Sequence, residues 1–224
     1  MTFNPKIIRE DFPILNNKLI YFDNASTTQK PKQVIASMTK YYNVYNANVH
    51  RGIYRIAEKA TYKYEQARIT VAKFINADLK EIVFTKNTTE SINIISNALG
   101  QKFTSGDEII ITEMEHHSNI IPWLMLSEKH NIKIKYIPML SNGQLDLCAL
   151  QKLITPRTKL ISITHMSNVI GIINPIEQII KIAHKNNIEV LVDAAQSISH
   201  KKIDVKKLDC EYLAFSGHKI MGPT

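Results

Sequence analysis

Lys219 is the residue at which the chemistry of this sequence concentrates. It lies in Ser216-Gly217-His218-Lys219-Ile220-Met221-Gly222-Pro223, directly after the apolar run Tyr212 to Phe215. That run reads as a short buried strand, so the lysine falls in the loop leaving a strand's carboxyl end, where open α/β sheets place their ligands. Partial burial and a neighbouring positive charge, here His218, both lower a lysine pKa, and a neutral amine is what a Schiff base with a carbonyl compound requires. Read alone, a solvated surface lysine is the commoner explanation.

Other candidates stand at comparable points. Asn87-Thr88-Thr89-Glu90 opens a helix after Glu81 to Thr85, which reads as a strand, with Thr88 or Thr89 expected as the N-cap. Such a start gathers amides, hydroxyls and the helix dipole into an anion site, although capping alone also accounts for these residues. His116 and His117 follow the expected strand Glu108 to Thr112. Adjacent side chains point apart and the spacing is not His-Glu-x-x-His, so no metal is expected there. An imidazole at a strand end can stack on a flat ring or serve structurally. Asn168 follows the expected strand Lys159 to Thr164, and Asp193 ends the apolar strand Glu189 to Val192 just before Gln196. A carboxylate at the mouth of a buried strand has to be balanced, by a cationic ring nitrogen or by a helix N-terminus. His50 and Arg51 occupy a polar link. Arg51 can hold a carboxylate or phosphate, or simply form a surface salt bridge.

The elements that must position these residues alternate along the chain. Leu19 to Phe22 reads as a brief strand running into the polar loop Asp23 to Thr28. Gln33 to Tyr45 and Arg55 to Phe74 show helical apolar spacing, and a helix from Thr88 to about Leu99 follows. Further on come helix Ile120 to Lys129, strand Lys133 to Pro138, helix Asp146 to Leu153 with Cys148 as a small apolar residue on it, and helix Pro175 to His184. Strands alternating with helices predict an α/β fold with a mainly parallel, doubly wound sheet and flanking helices. Thr89, His116, Asn168, Asp193 and Ser216 to Lys219 then gather at the carboxyl ends of five successive strands.

Composition narrows the class. Of 224 residues, 44% are hydrophobic and 21% charged, as in a soluble globular protein. The net charge of +8 is spread along the chain, and no finger or RNP-type pattern points to nucleic acid. Two distant cysteines, Cys148 and Cys210, suggest neither a disulfide framework nor a metal site, which fits a reducing, cytoplasmic compartment. Met1 to Leu15 is interrupted by Lys6, Arg9, Glu10 and Asp11 and supplies no signal-peptide core, and no apolar run reaches membrane-spanning length.

Seven segments together carry a resemblance. They are YFDNASTTQKP from Tyr21, NVHRGIYRIA from Asn48, NTTESIN from Asn87, EMEHHSNIIPW from Glu113, ITHMSNVIG from Ile163, LVDAAQ from Leu191 and LDCEYLAFSGHKIMGPT from Leu208. In this order they resemble the class V aminotransferase group of fold-type I pyridoxal-phosphate enzymes, and within it the SUF-type cysteine desulfurases. The resemblance implies that Lys219 holds pyridoxal 5'-phosphate as a Schiff base and that His116 stacks on the ring and transfers protons. It implies that Asp193 pairs with the ring nitrogen, keeping it protonated so that the ring acts as an electron sink, and that Gln196 bonds the ring oxygen. Asn168 is placed near substrate and ring, Thr88, Thr89, Ser216 and His218 on the phosphate, and His50 and Arg51 at the substrate entrance.

The implied reaction converts L-cysteine to L-alanine, passing sulfur on as persulfide for iron-sulfur cluster assembly. The implied partners are a SufE-like sulfur acceptor and a second copy of the chain. A selenocysteine lyase acting on L-selenocysteine and a noncatalytic remnant are the alternatives. By the same resemblance, residues 1–18 form an arm belonging to a small domain, and 19–224 form an incomplete cofactor-binding domain. The nucleophilic cysteine, the carboxylate-binding arginine and most of the small domain are expected in a segment after Thr224. Neither Cys148 nor Cys210 matches the nucleophile's motif, so cofactor recognition without turnover is the expectation for the chain as given.

Overall fold

The computed structural model describes residues 3–224; Met1 and Thr2 of the expected N-terminal arm lie outside the described residues. Two compact units emerge, one of residues 1–83 with 217–224 and one of residues 84–216. Both junctions lie inside the 19–224 span.

The first unit is helical. Helix α1 (Pro5–Arg9) is capped by the Asn4 side chain, which accepts the Lys6 amide, and a 3₁₀ turn begins at Pro13. Helix α2 (Lys32–Lys40) runs on into a π-helical turn over Tyr41–Tyr45. Helix α3 (Arg55–Ile75) ends at Asn76, whose left-handed backbone, φ 57°, closes the last turn. The Leu19 to Phe22 segment is not a strand, and Glu81 to Thr85 is not one either. A 3₁₀ turn, Leu79–Glu81, with a capping box at Asp78 takes up the start of the latter. Both have the apolar, β-branched composition of a strand, but among the described residues no neighbouring strand supplies a ladder for their backbone groups.

The second unit is the expected α/β sheet. Helix α4 (Thr88–Gly100) is followed by β1 (Glu108–Thr112), α5 (Ile121–His130), β2 (Lys133–Ile137), α6 (Leu147–Leu153) and β3 (Thr158–Thr164). Helix α7 (Ile176–His184), β4 (Glu189–Asp193), α8 (Val205–Leu208) and β5 (Tyr212–Ala214) complete it. All pairings are parallel in the order β2-β1-β3-β4-β5. Burial on both faces explains why β1 reads Glu-Ile-Ile-Ile-Thr without polar alternation. Ile109 and Ile111 pack with Ile92 and Leu99 of α4, Trp123 and Leu126 of α5, Leu160 and Leu191. Strand alternation turns Ile110, Ile161, Ile163, Val190 and Val192 to the opposite face, all fully buried. Helix α7 presents Ile176, Ile179, Ile180 and Ala183 at helical spacing as its buried stripe. Two further corrections concern single residues. The α4 cap is Asn87, whose Oδ1 accepts the Glu90 amide, rather than Thr88 or Thr89. Cys148, expected as a small apolar residue of the helix, is exposed on α6.

Candidate active site

Strand order reverses between β1 and β3, the point at which a doubly wound sheet opens a crevice at its carboxyl ends. Glu115 bridges that point. Its Oε1 accepts the Thr112 hydroxyl of β1 at 2.7 Å and the Thr164 backbone N–H of β3 at 2.9 Å, and its Oε2 accepts Asn119 Nδ2 at 2.7 Å. The polarity of this network is fixed from its far end. Trp123 Nε1, which can only donate, bonds Asn119 Oδ1 at 3.0 Å, and Ser162 Oγ donates to the same oxygen at 2.5 Å. The Asn119 amide nitrogen must therefore face Glu115. Burial pushes the Glu115 carboxyl up to about 8, against three hydrogen bonds that favour its charged form, and the charge of Asp193 adds to the rise. Near pH 7 the carboxyl keeps a proton, and Thr112 Oγ is the one partner with a lone pair to receive it.

His116 stands on the turn this network secures. The ring is exposed, and its Nδ1 accepts the Ser118 amide at 3.2 Å with Ser118 Oγ at 2.6 Å. An amide donor on Nδ1 leaves the proton of the neutral ring on Nε2. Asp193, 3% exposed, ends β4 in register with Thr164. Its Oδ1 accepts the Ala195 amide at 2.9 Å. Asn168 and Gln196 are half-buried in the loops leaving β3 and β4. Past β5, the buried Ser216 hydroxyl accepts the Thr88 N–H at 2.9 Å and meets Thr88 Oγ1 at 2.7 Å, joining the start of α4 to the end of β5. One hydrogen serves that hydroxyl pair, so the other remains for an external acceptor. Thr89 is exposed in the first turn of α4.

His218, Lys219, His50 and Arg51 belong to the first unit. Gly217–Lys219 is a 3₁₀ turn closed by the Ile220 and Gly222 amides, which both donate to the Gly217 carbonyl, at 3.0 and 2.8 Å. A Cβ on Gly222 would stand 2.7 Å from that oxygen, so a side chain there would force the turn to shift. His218 Nδ1 contacts Thr27 Oγ1 at 3.0 Å, and burial, then the Lys219 and Lys30 charges, hold its pKa below the ordinary imidazole value. Backbone and side chain both tie His50 to α3: its amide donates to Thr61 Oγ1 at 2.9 Å, and Nε2 lies 2.8 Å from Glu65 Oε1. Arg51 is exposed and forms no salt bridge among the described residues.

Glu115 and Asn119 are less conspicuous in the sequence than the residues around them. The signal available was the i, i+4, i+8 spacing of Glu115, Asn119 and Trp123, a polar stripe that begins immediately after an all-buried strand.

The model of the family described as aminotransferase class-V matches residues 20–224. A cysteine desulfurase of Wigglesworthia glossinidia brevipalpis is 48% identical over 232 residues, which cover 100% of this chain and 57% of the relative. The apo structure of a cysteine desulfurase from Thermococcus onnurineus NA1 superposes with a TM-score of 0.95 at 46% identity, over 100% of this chain and 56% of that one. The cysteine desulfurase CsdA (S-sulfonic acid) from Escherichia coli gives 0.91 at 39% identity, over 100% and 57%. The chain thus spans about half the length of the curated relatives it matches.

Members of this family use pyridoxal phosphate, and the groups present suit it chemically. The amide end of α4 with the Thr88 and Ser216 hydroxyls suits a phosphate, the buried Asp193 carboxylate suits a ring cation, and the Lys219 amine suits a carbonyl carbon. A match over nine-tenths of its length, on the parallel sheet that the sequence motifs imply, makes this chain a member of the class V aminotransferase family.

Proposed function

We infer that the chain is the cofactor-binding part of a SUF-type cysteine desulfurase, with L-cysteine as substrate and L-alanine as product. The observation that carries the reading is the buried Asp193 carboxylate on the strand beside β3, in a unit that also joins Ser216 to the amide end of α4. Bound pyridoxal phosphate supplies an electron sink for the substrate's α-carbon.

The chain's own residues do the rest. Thr88, Thr89, Ser216 and His218 hold the phosphate, and Asp193 keeps a proton on the ring nitrogen. Gln196 bonds the ring oxygen. His116, its Nδ1 engaged by the Ser118 amide, would cover the ring and pass a proton, while Asn168 would orient ring and substrate. The Lys219 amine fixes the group and moves the proton at the substrate's α-carbon. His50 and Arg51 line the substrate's approach. Burial pushes the Cys210 thiol up to about 12, so it is not a thiolate near pH 7. Cys148 lies on α6, which packs on the edge strand β2. Neither is assigned as sulfur acceptor. A thiol outside these residues takes the sulfur as persulfide and hands it to an acceptor protein, in an enzyme that works as a homodimer.

The test is to add pyridoxal phosphate to the purified chain, reduce with borohydride and map the tagged peptide by mass spectrometry. A stoichiometric tag on Lys219, with no alanine released from cysteine, is the expected result. A tag scattered over surface lysines, or rapid alanine formation, refutes it.

A further inference from the structure

The peptide group that leads into Lys219 is held by an unusual number of donors, all from one short loop. The His218 carbonyl accepts the Thr28 amide at 3.1 Å, Thr28 Oγ1 at 2.9 Å, Thr27 Oγ1 at 3.3 Å and Lys30 Nζ at 2.9 Å. Four donors converge on an oxygen with two lone pairs. Thr28 Oγ1 also accepts the Met221 amide at 2.8 Å, so this one residue grips the chain on both sides of Lys219. Met221 needs that grip, since its backbone sits in the left-handed region at φ 67°.

Lys30 closes the arrangement. Its ammonium has three hydrogens and three acceptors: the His218 carbonyl, the Thr28 carbonyl at 2.6 Å and Thr27 Oγ1 at 3.2 Å. Among the described residues it forms no salt bridge, although it is half-buried. Burial lowers its pKa, so the cation is held there at a cost that the three oxygens offset. Lys32, two residues on, differs: it is exposed and paired with Asp11 at 3.1 Å. Because the carbonyl of His218 and the nitrogen of Lys219 belong to one planar peptide, fixing that oxygen fixes the direction in which the Lys219 Cα leaves the turn.

We propose that Lys30 is a positioning residue for Lys219, its ammonium closing a cradle of donors on the His218 carbonyl. This rests on the reading of Lys219 as the residue that fixes the cofactor. It also gives the Ser26-Thr27-Thr28-Gln29-Lys30 segment a role that its polar composition alone does not reveal.

The experiment compares the 224-residue chain with Lys30→Met, which removes the donors, Lys30→Arg, which keeps a cation, and Lys32→Met as a neighbouring control. Amide hydrogen exchange over residues 217–224 is measured without cofactor, followed by tagging with pyridoxal phosphate and borohydride. Lys30→Met is expected to speed exchange in that segment about tenfold, as for the loss of a hydrogen bond to a charged group, and to lower the tag on Lys219. Lys30→Arg is expected to recover most of both, and Lys32→Met to change neither. Exchange at the unaltered rate in Lys30→Met overturns the proposal. So does protection lost evenly across residues 3–83, which would make Lys30 a general structural residue. If the unsubstituted chain itself takes no tag on Lys219, the cofactor reading fails, while exchange still decides the cradle.

Discussion

The two units solve the problem of burial differently. In the sheet unit Ile109, Ile110, Ile111, Ile161, Ile163, Val190, Leu191 and Val192 have no exposed surface. Among the described residues of the other unit, only Tyr45, Ala57, Ala60, Ala72, Ile75 and Ile82 join the buried apolar set, while Phe22 is 91% and Ile53 97% exposed. The sheet unit owes its stability to apolar area removed from water. The helical unit depends more on polar ties, such as Arg68 Nη1 to the Ile82 carbonyl, Arg9 Nη2 to the Leu15 carbonyl at 2.9 Å and the Lys30 cradle. The candidate site residues are accordingly anchored by strand ends in one unit and by side-chain clamps in the other.

Substitutions test that contrast. Ile161→Ala, at a fully buried position, is expected to cost about 3 kcal/mol in urea unfolding, whereas Ile53→Ala is expected to stay within about 0.5 kcal/mol. Comparable losses at both positions would erase the distinction.

Glu115→Gln is expected to cost about 2 kcal/mol, because any orientation of the new amide sets its NH₂ against Asn119 Nδ2 or the Thr164 N–H. The same variant sharpens the electrostatics. A carboxyl raised to about 8 in the folded state binds a proton that the unfolded chain, near 4.5, has released. Its contribution is therefore complete below about pH 4.5 and is lost as pH rises towards 8. His165, its pKa lowered by burial and then by Lys201, contributes in the opposite sense, losing stability as pH falls through its ordinary range. The difference between the two pH–stability curves isolates Glu115. The original chain should fall relative to Glu115→Gln between pH 5 and 8, and parallel curves would exclude a raised Glu115. A smaller loss than at Ile161 or Glu115 is expected for Gly222→Ala: about 1 kcal/mol of local strain against the Gly217 carbonyl, read as faster amide exchange over residues 217–224.

What the sequence disclosed follows the same division. Strand β1 runs from Glu108 to Thr112 as its apolar run suggests, and β3, β4 and β5 agree to within one residue at either end; a strand buried on both faces, as β1 and β4 are, writes itself as a continuous apolar stretch. Leu19 to Phe22 and Glu81 to Thr85 carry the same signature with no partner to pair with, and composition cannot say whether a partner arrives. Thr88 proved to bond Ser216 rather than cap α4, since Asn87, one residue earlier, reaches the Glu90 amide. The ties that hold the site were illegible for a further reason. Glu115 meets Thr164 49 residues away, and Lys30 meets His218 188 residues away, so local pattern contains neither.

The chain has a single tryptophan, and it is the one that ends the Glu115 network. Because Trp123 Nε1 bonds the same amide whose nitrogen bonds Glu115, the charge on that carboxylate is felt two hydrogen bonds from the indole. The protein thus carries an intrinsic optical reporter at its strand-order reversal. An emission titration of the unmodified chain should reveal a transition near pH 8, where the buried carboxyl loses its proton, and Glu115→Gln should abolish it.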